Sequence, residues 1–353
     1  MSGICLVLNL GSSSVKAALY EPRGGAPLHC LWKQGRPLDG QSHQQLGEWL
    51  HDWLSPELAE ELPKIQCIGH RMVHGGNQFT APTLVTAAVE QALAALSPLA
   101  PLHNPPALNG IAWARHWAPH AQQWACFDTA FHHTLPEAAR TYALPQAIRD
   151  QGFRRYGFHG LNHQHVSTTV LHHWQSQGRN PDQLRLISAH LGAGASLAAI
   201  QGGHCIDTTM GYTPLEGLVM ATRSGSVDPG VLLELMRRGS SHAALSQALE
   251  QESGLQGLSG LSGDMREIRE HAQAGHQPAQ LALAVFRHRL LQLIGSMAAS
   301  LKGANVLALS GGIGEHDAAL RSELSNNLSW IPQLELMVIP ADEEGMIAQL
   351  IGP

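Results

Sequence analysis

The chain opens with an apolar run, Ile4 to Leu8, then a short glycine and serine segment, and a second apolar run, Val15 to Tyr20. Runs of this length are typical of buried β-strands, and a Gly-Ser segment between them predicts a tight turn. The pattern therefore predicts a hairpin with a polar tip. Backbone N–H groups, the hydroxyls of Ser12 to Ser14 and the charge of Lys16 suit a phosphate there. An ordinary hairpin turn fits the same residues.

The same pattern recurs in the second half, at Leu184 to Asp207. In both places a glycine makes the turn, Gly11 and Gly192, and a serine starts the returning strand, Ser14 and Ser196. Glycine lets the backbone approach a ligand closely because no Cβ intervenes. The repetition predicts two halves that each begin with the same strand–turn–strand segment.

The segment Val306 to Asp317 predicts another strand that is followed by a third glycine-rich turn. The segment before it predicts an amphipathic helix that ends near Gly303. The apolar stripe of that helix consists of Phe286, Leu290, Leu293, Met297 and Leu301. A helix, a strand and then Gly-Gly-x-Gly is the layout of a nucleotide site in an α/β domain.

Length and composition narrow the class of protein. With 353 residues, 44% of them hydrophobic, the chain can form two domains, since single cores seldom exceed about 250 to 300 residues. A net charge of −6 argues against a broad nucleic-acid surface. Five scattered cysteines without CxxC spacing favour neither disulfides nor a zinc site and fit a reducing cytoplasm. No segment reaches the ~20 apolar residues of a membrane span, so neither nucleic acid nor a membrane is an expected partner.

A series of ordered motifs, spread over almost the whole chain, resembles the acetate kinases, the acetokinase group of the sugar kinase, Hsp70 and actin superfamily. The motifs are NLGSSSVK (Asn9 to Lys16), GHRMVHGG (Gly69 to Gly76), APLHNPPALNGI (Ala100 to Ile111), FDTAFHHTLPEAARTYALP (Phe127 to Pro145), RRYGFHGLNH (Arg154 to His163), AHLGAGAS (Ala189 to Ser196), DTTMGYTPLEGLVMATRSGSVDPG (Asp207 to Gly230), SGDMRE (Ser262 to Glu267), SGGIGEH (Ser310 to His316) and ADEEGMIA (Ala341 to Ala348).

This resemblance implies an α/β fold in which duplicated RNase H-like domains flank a catalytic cleft. It implies an N-terminal acyl and phosphate-binding domain at 1–130 plus 343–353, and a C-terminal nucleotide-binding domain at 131–342. The implied reaction is reversible phosphoryl transfer from ATP to acetate, giving acetyl phosphate and ADP, with Mg²⁺ or alternatively Mn²⁺. The implied partners are these small molecules and, by analogy with the family, a second copy of the chain in a homodimer.

The resemblance also implies the catalytic residues. Phosphoryl transfer spreads negative charge over the equatorial oxygens, so cations must converge on the group in transit. Arg71 and Arg223 match the active-site arginines, and His159 matches the transition-state histidine. Asp128, directly after a predicted strand, is implied as the acid or base, or as the group that orients an arginine or the substrate. Residue type alone favours a surface ion pair for each arginine.

The remaining site residues follow from the same resemblance. His103 and His163 join Arg71 at the acetyl end, although a structural role for both histidines stays open. Asn9 and Glu343 match the metal site, directly or through water. The nucleotide set consists of Ser12, Ser14, Lys16, His190, Leu191, Gly192, Ala193, Gly194, Asp264, Met265, Arg266, Gly312, Ile313, Gly314, Glu315 and His316.

The chain departs from the family pattern in three motifs. Ala193 and His316 stand where the family has asparagines, and Leu161 with Asn162 replaces Thr-Ser. The chain is also shorter than typical members. Two hypotheses follow: an active acetate kinase, with propionate as an alternative substrate, or a nucleotide-binding relative that transfers little. The complete arginine, aspartate and histidine set favours the enzyme.

Overall fold

The computed structural model describes residues 3–11, 14–23, 26–38, 45–101 and 103–352. They form two compact units. The first comprises Met1–Phe131, His159–His165 and Asp342–Pro353, and the second His132–Phe158 and Val166–Ala341. The domain boundaries expected above remain a prediction. The first unit contains His159–His165, which that expectation assigns to the nucleotide-binding domain.

Across the described ranges, the strands belong to two sheets. They are β1 (Ile4–Leu10), β2 (Ser14–Arg23), β3 (Ala26–Pro37), β4 (Ile65–Met72), β5 (Thr83–Leu84), β6 (Gln122–Phe127), β7 (Arg185–Leu191), β8 (Ala195–Gln201), β9 (His204–Thr208), β10 (Val306–Ser310) and β11 (Glu335–Val338). Both predicted hairpins are confirmed, as β1–β2 and β7–β8.

The α-helices of the same ranges lie between and after these strands. They are α1 (Leu46–Glu57), α2 (Ala87–Ala95), α3 (Asn104–Trp117), α4 (Glu137–Arg140), α5 (Gln146–Arg149), α6 (Gly160–Ser176), α7 (Pro229–Arg237), α8 (His242–Gln251), α9 (Gly254–Ser259), α10 (Met265–Gln273), α11 (Gln277–Ser300), α12 (Gly311–His316), α13 (Ala318–Asn327) and α14 (Glu343–Ile351). None of these helices is both long enough and apolar enough to cross a membrane.

The two sheets repeat one arrangement of strands. The first has the order β3-β2-β1-β4-β6-β5, and the second has the order β11-β10-β7-β8-β9. In each, the opening strand pairs with an antiparallel hairpin partner on one side and with a parallel strand on the other. Counted outward from β1 and from β7, the two orders coincide over five strands, and β5 is an additional edge strand of the first sheet. The predicted duplication is therefore confirmed.

Alternating side chains of β1 separate two packing layers in the first unit. Leu6 and Leu8 pack in the cluster formed with α1 and α3, whereas Val7 packs in the cluster that includes Ile347 of α14. Helix α14 lies close to the sheet at Gly69, where a Cβ would lie 2.5 Å from the Ile347 side chain. Any larger residue at Gly69 would push the helix away from the sheet.

The long helix α11 of the second unit confirms the amphipathic prediction. Its side chains Phe286, Leu290 and Met297 are buried, whereas Leu293 of the predicted stripe is only half-buried and the neighbouring Ile294 is buried instead. Leu301 follows the helix and is also buried, and Gly303 has φ +114°, a conformation that favours glycine.

Candidate active site

Three polar residues meet at the carboxyl ends of the parallel strands of the first unit. Asn9 lies near the end of β1, Arg71 near the end of β4, and Asp128 directly after β6. The Arg71 guanidinium donates from Nε to Asp128 Oδ1 (3.0 Å) and from Nη2 to Oδ2 (2.6 Å). Its Nη1 donates to Asn9 Oδ1 (3.1 Å). This edge of a parallel sheet is where ligands bind in α/β folds.

The Arg71 and Asp128 side chains form a buried ion pair, with 17% and 2% of their surfaces exposed. Burial alone would lower the pKa of Arg71, but the charge and hydrogen bonds of Asp128 outweigh it and raise the pKa above its usual range. The guanidinium therefore stays charged. Because both oxygens of Asp128 accept from Arg71, the geometry favours orientation of the arginine as the role of Asp128.

Helix α14 brings carboxylates to the same edge. Asn9 Nδ2 donates to Glu344 Oε1 (2.6 Å), and Lys33 Nζ lies 2.9 Å from Glu344 Oε2 and 2.9 Å from Asp342 Oδ1. Burial opposes the charge of Lys33, but the two carboxylates raise its pKa overall. Sequence reasoning missed Glu344 as a neighbour of Asn9 and Lys33 as the partner of Glu344, whereas Asp342 contacts Lys33 and the start of α14. The motif ADEEGMIA contains both acids, whereas nothing in the local sequence marks Lys33.

The oxygen donors near Asn9 and Glu343 suit magnesium. The Glu343 side chain is buried at the start of α14, and an amide and a carboxylate oxygen are hard ligands of the kind Mg²⁺ takes. No cluster of three or more His, Cys, Asp or Glu in the described ranges could hold a metal ion by itself. Mg²⁺ in phosphoryl-transfer sites keeps waters and phosphate ligands beside one or two protein groups, so this sparse set fits it.

The segment at the start of α6 places His159 next to Asp128. His159 has φ +55°, a left-handed conformation uncommon for a residue with a Cβ. The next residue, Gly160, donates its N–H to the Asp128 carbonyl oxygen (2.9 Å). A Cβ on Gly160 would lie 2.1 Å from that oxygen, so the position requires glycine. His163 is buried one helical turn further on, and its N–H donates to the His159 carbonyl.

Other predicted site residues of the first unit lie before α3 and on β2. His103 precedes α3, and the neighbouring Asn104 donates to and accepts from the His74 backbone, at 3.1 Å and 3.2 Å. Lys16 is exposed on β2 and pairs with Asn9 across the hairpin. Ser14 begins β2, and Ser12 lies outside the described residues.

Three segments of the second unit converge at the β7–β8 turn. Ala221 N–H donates to the Ala193 carbonyl (3.0 Å), which joins the turn to the segment of Arg223. A Cβ on Gly263 would lie 2.7 Å from that of Ala221, which brings in the start of α10. A Cβ on Gly311 would lie 2.8 Å from the carbonyl oxygen of Leu191, which brings in the start of α12. The structure thus gathers the predicted nucleotide loops, including His190, Gly192 and Gly194.

The Arg223 guanidinium is a half-buried cation of the second unit. Its Nη1 donates to the Pro214 carbonyl (3.3 Å), and within the described ranges no carboxylate forms an ion pair with it. Burial lowers the pKa of Arg223, an effect that Glu250 partly opposes. The surface ion pair considered from sequence is therefore not observed. A desolvated cation without a carboxylate partner attracts an anion.

The α10 residues of the nucleotide set bind one another. Asp264 caps α10 by accepting from Arg266 N–H (2.8 Å), and the Arg266 side chain pairs with it (2.7 Å). This pairing lowers the pKa of Asp264 to about 2. Met265 points into the core, so contacts from it to a nucleotide would come from the backbone.

The glycine-rich segment after β10 is a helix rather than the turn that its glycines predicted. Gly312, Ile313 and Gly314 lie within α12. Glu315 Oε1 accepts from the N–H groups of Gly311 (3.0 Å) and Ala341 (2.9 Å), which anchors the helix start. These hydrogen bonds offset the low helix propensity of glycine. His316 is exposed at the end of α12.

Two sheets with one repeated strand order, each carrying a polar site at a sheet edge, define a duplicated α/β protein of the sugar kinase, Hsp70 and actin type. Residues 31–348 match the sequence profile of the Acetokinase family. The chain belongs to the acetokinase family and is a kinase.

Individual relatives agree with this assignment. An acetate kinase from Synechococcus sp. (strain JA-2-3B'a(2-13)) is 44% identical, with 92% of this chain and 87% of the relative covered. The crystal structure of Porphyromonas gingivalis acetate kinase has a TM-score of 0.86 at 35% identity, covering 99% of this chain and 98% of that one. A propionate kinase from Francisella tularensis subsp. tularensis SCHU S4 has a TM-score of 0.84 at 35% identity, with the same coverage.

Proposed function

We propose that this chain catalyses reversible, Mg²⁺-dependent phosphoryl transfer from ATP to acetate, giving acetyl phosphate and ADP. The observation that carries the proposal is the oriented Arg71 guanidinium, which Asp128 and Asn9 hold at the carboxyl edge of the first sheet in a member of the acetokinase family. An immobilised guanidinium binds carboxylate and phosphoryl oxygens in a defined geometry.

The first unit would supply the acyl and metal side of the reaction. Arg71 binds the oxygens of the acceptor and of the group in transit, and His159 donates a hydrogen bond to them. Asn9 and Glu343 would hold Mg²⁺, or alternatively Mn²⁺, directly or through water, and the ion would neutralise phosphate charge when bound. His103 and His163 shape the acetyl end.

The second unit would supply the nucleotide side. Arg223 stabilises charge on the phosphoryl group, since its half-buried guanidinium forms no ion pair with a carboxylate of the described residues. The backbone can approach the ATP phosphates and the nucleoside closely at the turn of Gly192 and Gly194 and at the start of α12, because glycine has no Cβ. We propose an acyl and phosphate-binding domain at 1–130 plus 343–353 and a nucleotide-binding domain at 131–342, with His159 and His163, which belong to the first unit, acting on the acyl side.

Propionate is a second candidate acceptor. A propionate kinase and an acetate kinase are equally similar to this chain at 35% identity, so similarity alone does not separate the two acids. They differ by one methylene, which a pocket discriminates by about 1–3 kcal/mol.

We also propose that the protein is a cytoplasmic homodimer. Helix α7 exposes apolar side chains around its surface, with Val231, Leu233 and Met236 at 48%, 68% and 57% exposure. A second copy that packs on this helix would remove these side chains from water. The scattered free cysteines fit a reducing compartment.

The test is formation of acyl hydroxamate from ATP with acetate, propionate and butyrate side by side, with Mg²⁺ or Mn²⁺. Acetate should be the preferred acid, and Arg71→Ala should lower kcat by about 100- to 1,000-fold. Arg115→Ala is the matched control, because Arg115 forms an exposed ion pair with Glu90 far along α3 from the site. Absence of hydroxamate with all three acids in the unaltered protein would exclude the proposed function.

A further inference from the structure

A buried carboxylate links an exposed lysine to the active-site edge of the first unit. Glu344 is 1% exposed. Its Oε2 contacts Lys33 Nζ at 2.9 Å, and its Oε1 accepts from Asn9 Nδ2 at 2.6 Å. Strand pairing places Lys33 opposite Ala18 and Ala18 opposite Val7, so Lys33 and Asn9 emerge on the same face of the sheet.

This link determines which way the Asn9 carboxamide points. With Nδ2 directed at Glu344, Oδ1 faces Arg71 Nη1 at 3.1 Å. The reversed amide would set an oxygen against the carboxylate and an NH₂ donor against the guanidinium donor. Both neighbours of Asn9 therefore favour the same orientation.

Only a carboxylate satisfies both donors at this position. Glu344 has two acceptor oxygens, one for Lys33 and one for Asn9. A glutamine has a single oxygen and an NH₂ group, so one of the two donors would face another donor. In a side chain buried to this degree such a mismatch is costly.

We propose that Glu344, anchored by Lys33, is a positioning residue that orients the Asn9 carboxamide and, through it, the Arg71 guanidinium. The proposal rests on the proposed phosphoryl transfer for its effect on catalysis. Neither Glu344 nor Lys33 needs to touch the substrate.

The test compares variants with equal loss of charge. Glu344→Gln should lower kcat about 10- to 100-fold, as expected when a supporting partner of a site residue is lost. Asp342→Asn is the matched control. Asp342 also contacts Lys33, and it caps α14 by accepting from Gly345 N–H, a hydrogen bond that asparagine can make as well. Asp342 itself has no hydrogen bond to Asn9. Its kcat should stay within about twofold of the unaltered protein.

Two further variants keep the test decisive if Glu344→Gln folds poorly. Lys33 is 39% exposed, so its replacement leaves the core intact. Lys33→Met should lower kcat, and Lys33→Arg should keep most of the activity that Lys33→Met loses, because arginine also supplies a charged N–H donor to Glu344.

A second readout does not depend on activity. The side-chain NH₂ resonances of Asn9 can be assigned with Asn9→Ala in protein labelled with ¹⁵N-asparagine. Their chemical shifts should change in Glu344→Gln and Lys33→Met and should stay the same in Asp342→Asn. Unmoved Asn9 resonances in Glu344→Gln, or a kcat within about twofold of the unaltered protein, would overturn the proposal. If the unaltered protein forms no hydroxamate, the proposed function fails, and the Asn9 resonances still decide whether Glu344 positions the amide.

Discussion

Removing Arg71 should cost the first unit stability that a second, compensating substitution returns without returning activity. In Arg71→Met, Asp128 keeps a carboxylate that is 2% exposed and loses both of its guanidinium donors, at 3.0 Å and 2.6 Å. Breaking a buried ion pair on one side costs about 3–5 kcal/mol. The lost bond from Nη1 to Asn9 adds about 1 kcal/mol.

The double variant Arg71→Met/Asp128→Leu should recover most of this loss, because an apolar pair of similar volume in place of a buried ion pair is often neutral or stabilising. Its activity should remain as low as that of Arg71→Met, since the oriented cation is still missing. Stability and catalysis therefore separate in this series.

The assay is urea unfolding at pH 7 followed by tryptophan fluorescence, a signal weighted toward the first unit. That unit contains Trp32, Trp49, Trp53, Trp113, Trp117 and Trp124. Arg115→Met, which breaks the exposed pair with Glu90, should change the unfolding free energy by less than about 1 kcal/mol. A similarly small change in Arg71→Met, or no recovery in the double variant, would refute the reasoning.

Three further predictions concern other residues. Burial lowers the pKa of His70 from 6.5 to about 4, so the unfolded chain binds the extra proton between these pH values. The unfolding free energy should fall as pH drops from 6.5 toward 4, by roughly 3 kcal/mol for this group. Urea unfolding of His70→Gln should show a smaller fall over the same pH range. An identical fall would contradict the lowered pKa of His70. Arg223→Ala should lower kcat by orders of magnitude with little loss of stability, because it removes a half-buried cation that has no ion pair with a carboxylate of the described residues. Near-normal turnover would contradict its role. The native protein should use ATP and GTP comparably. His316→Asn and Ala193→Asn should each raise the preference for ATP in a nucleotide panel, since one hydrogen bond contributes about 0.5–1.5 kcal/mol. A strong ATP preference in the native protein, unchanged by either substitution, would show that neither position recognises the base.

Local patterns in the sequence determined most elements around the site. The apolar runs at Ile4 to Leu8 and Val15 to Tyr20 correspond to β1 and β2, because burial on both faces requires continuous apolar residues. The 3.6-residue spacing before Gly303 corresponds to α11. The repeated Gly-Ser turn indicated the duplication that the two strand orders confirm. Ordered motifs also identified the family, since their residues carry the chemistry directly.

Tertiary structure alone decided how the site residues are held. Lys33 and Glu344 are far apart in the chain, and neither spacing nor composition predicts that β3 and α14 bring them together. The glycines of α12 predicted a turn, but hydrogen bonds from Gly311 and Ala341 to Glu315 stabilise a helix. The hydrogen bonds from Arg71 to Asp128 and Asn9 likewise depend on strands β1, β4 and β6 ending at one edge of the sheet. Hydrophobic periodicity is a local property of the chain, whereas the partner of a buried charge is set by the packing of distant segments.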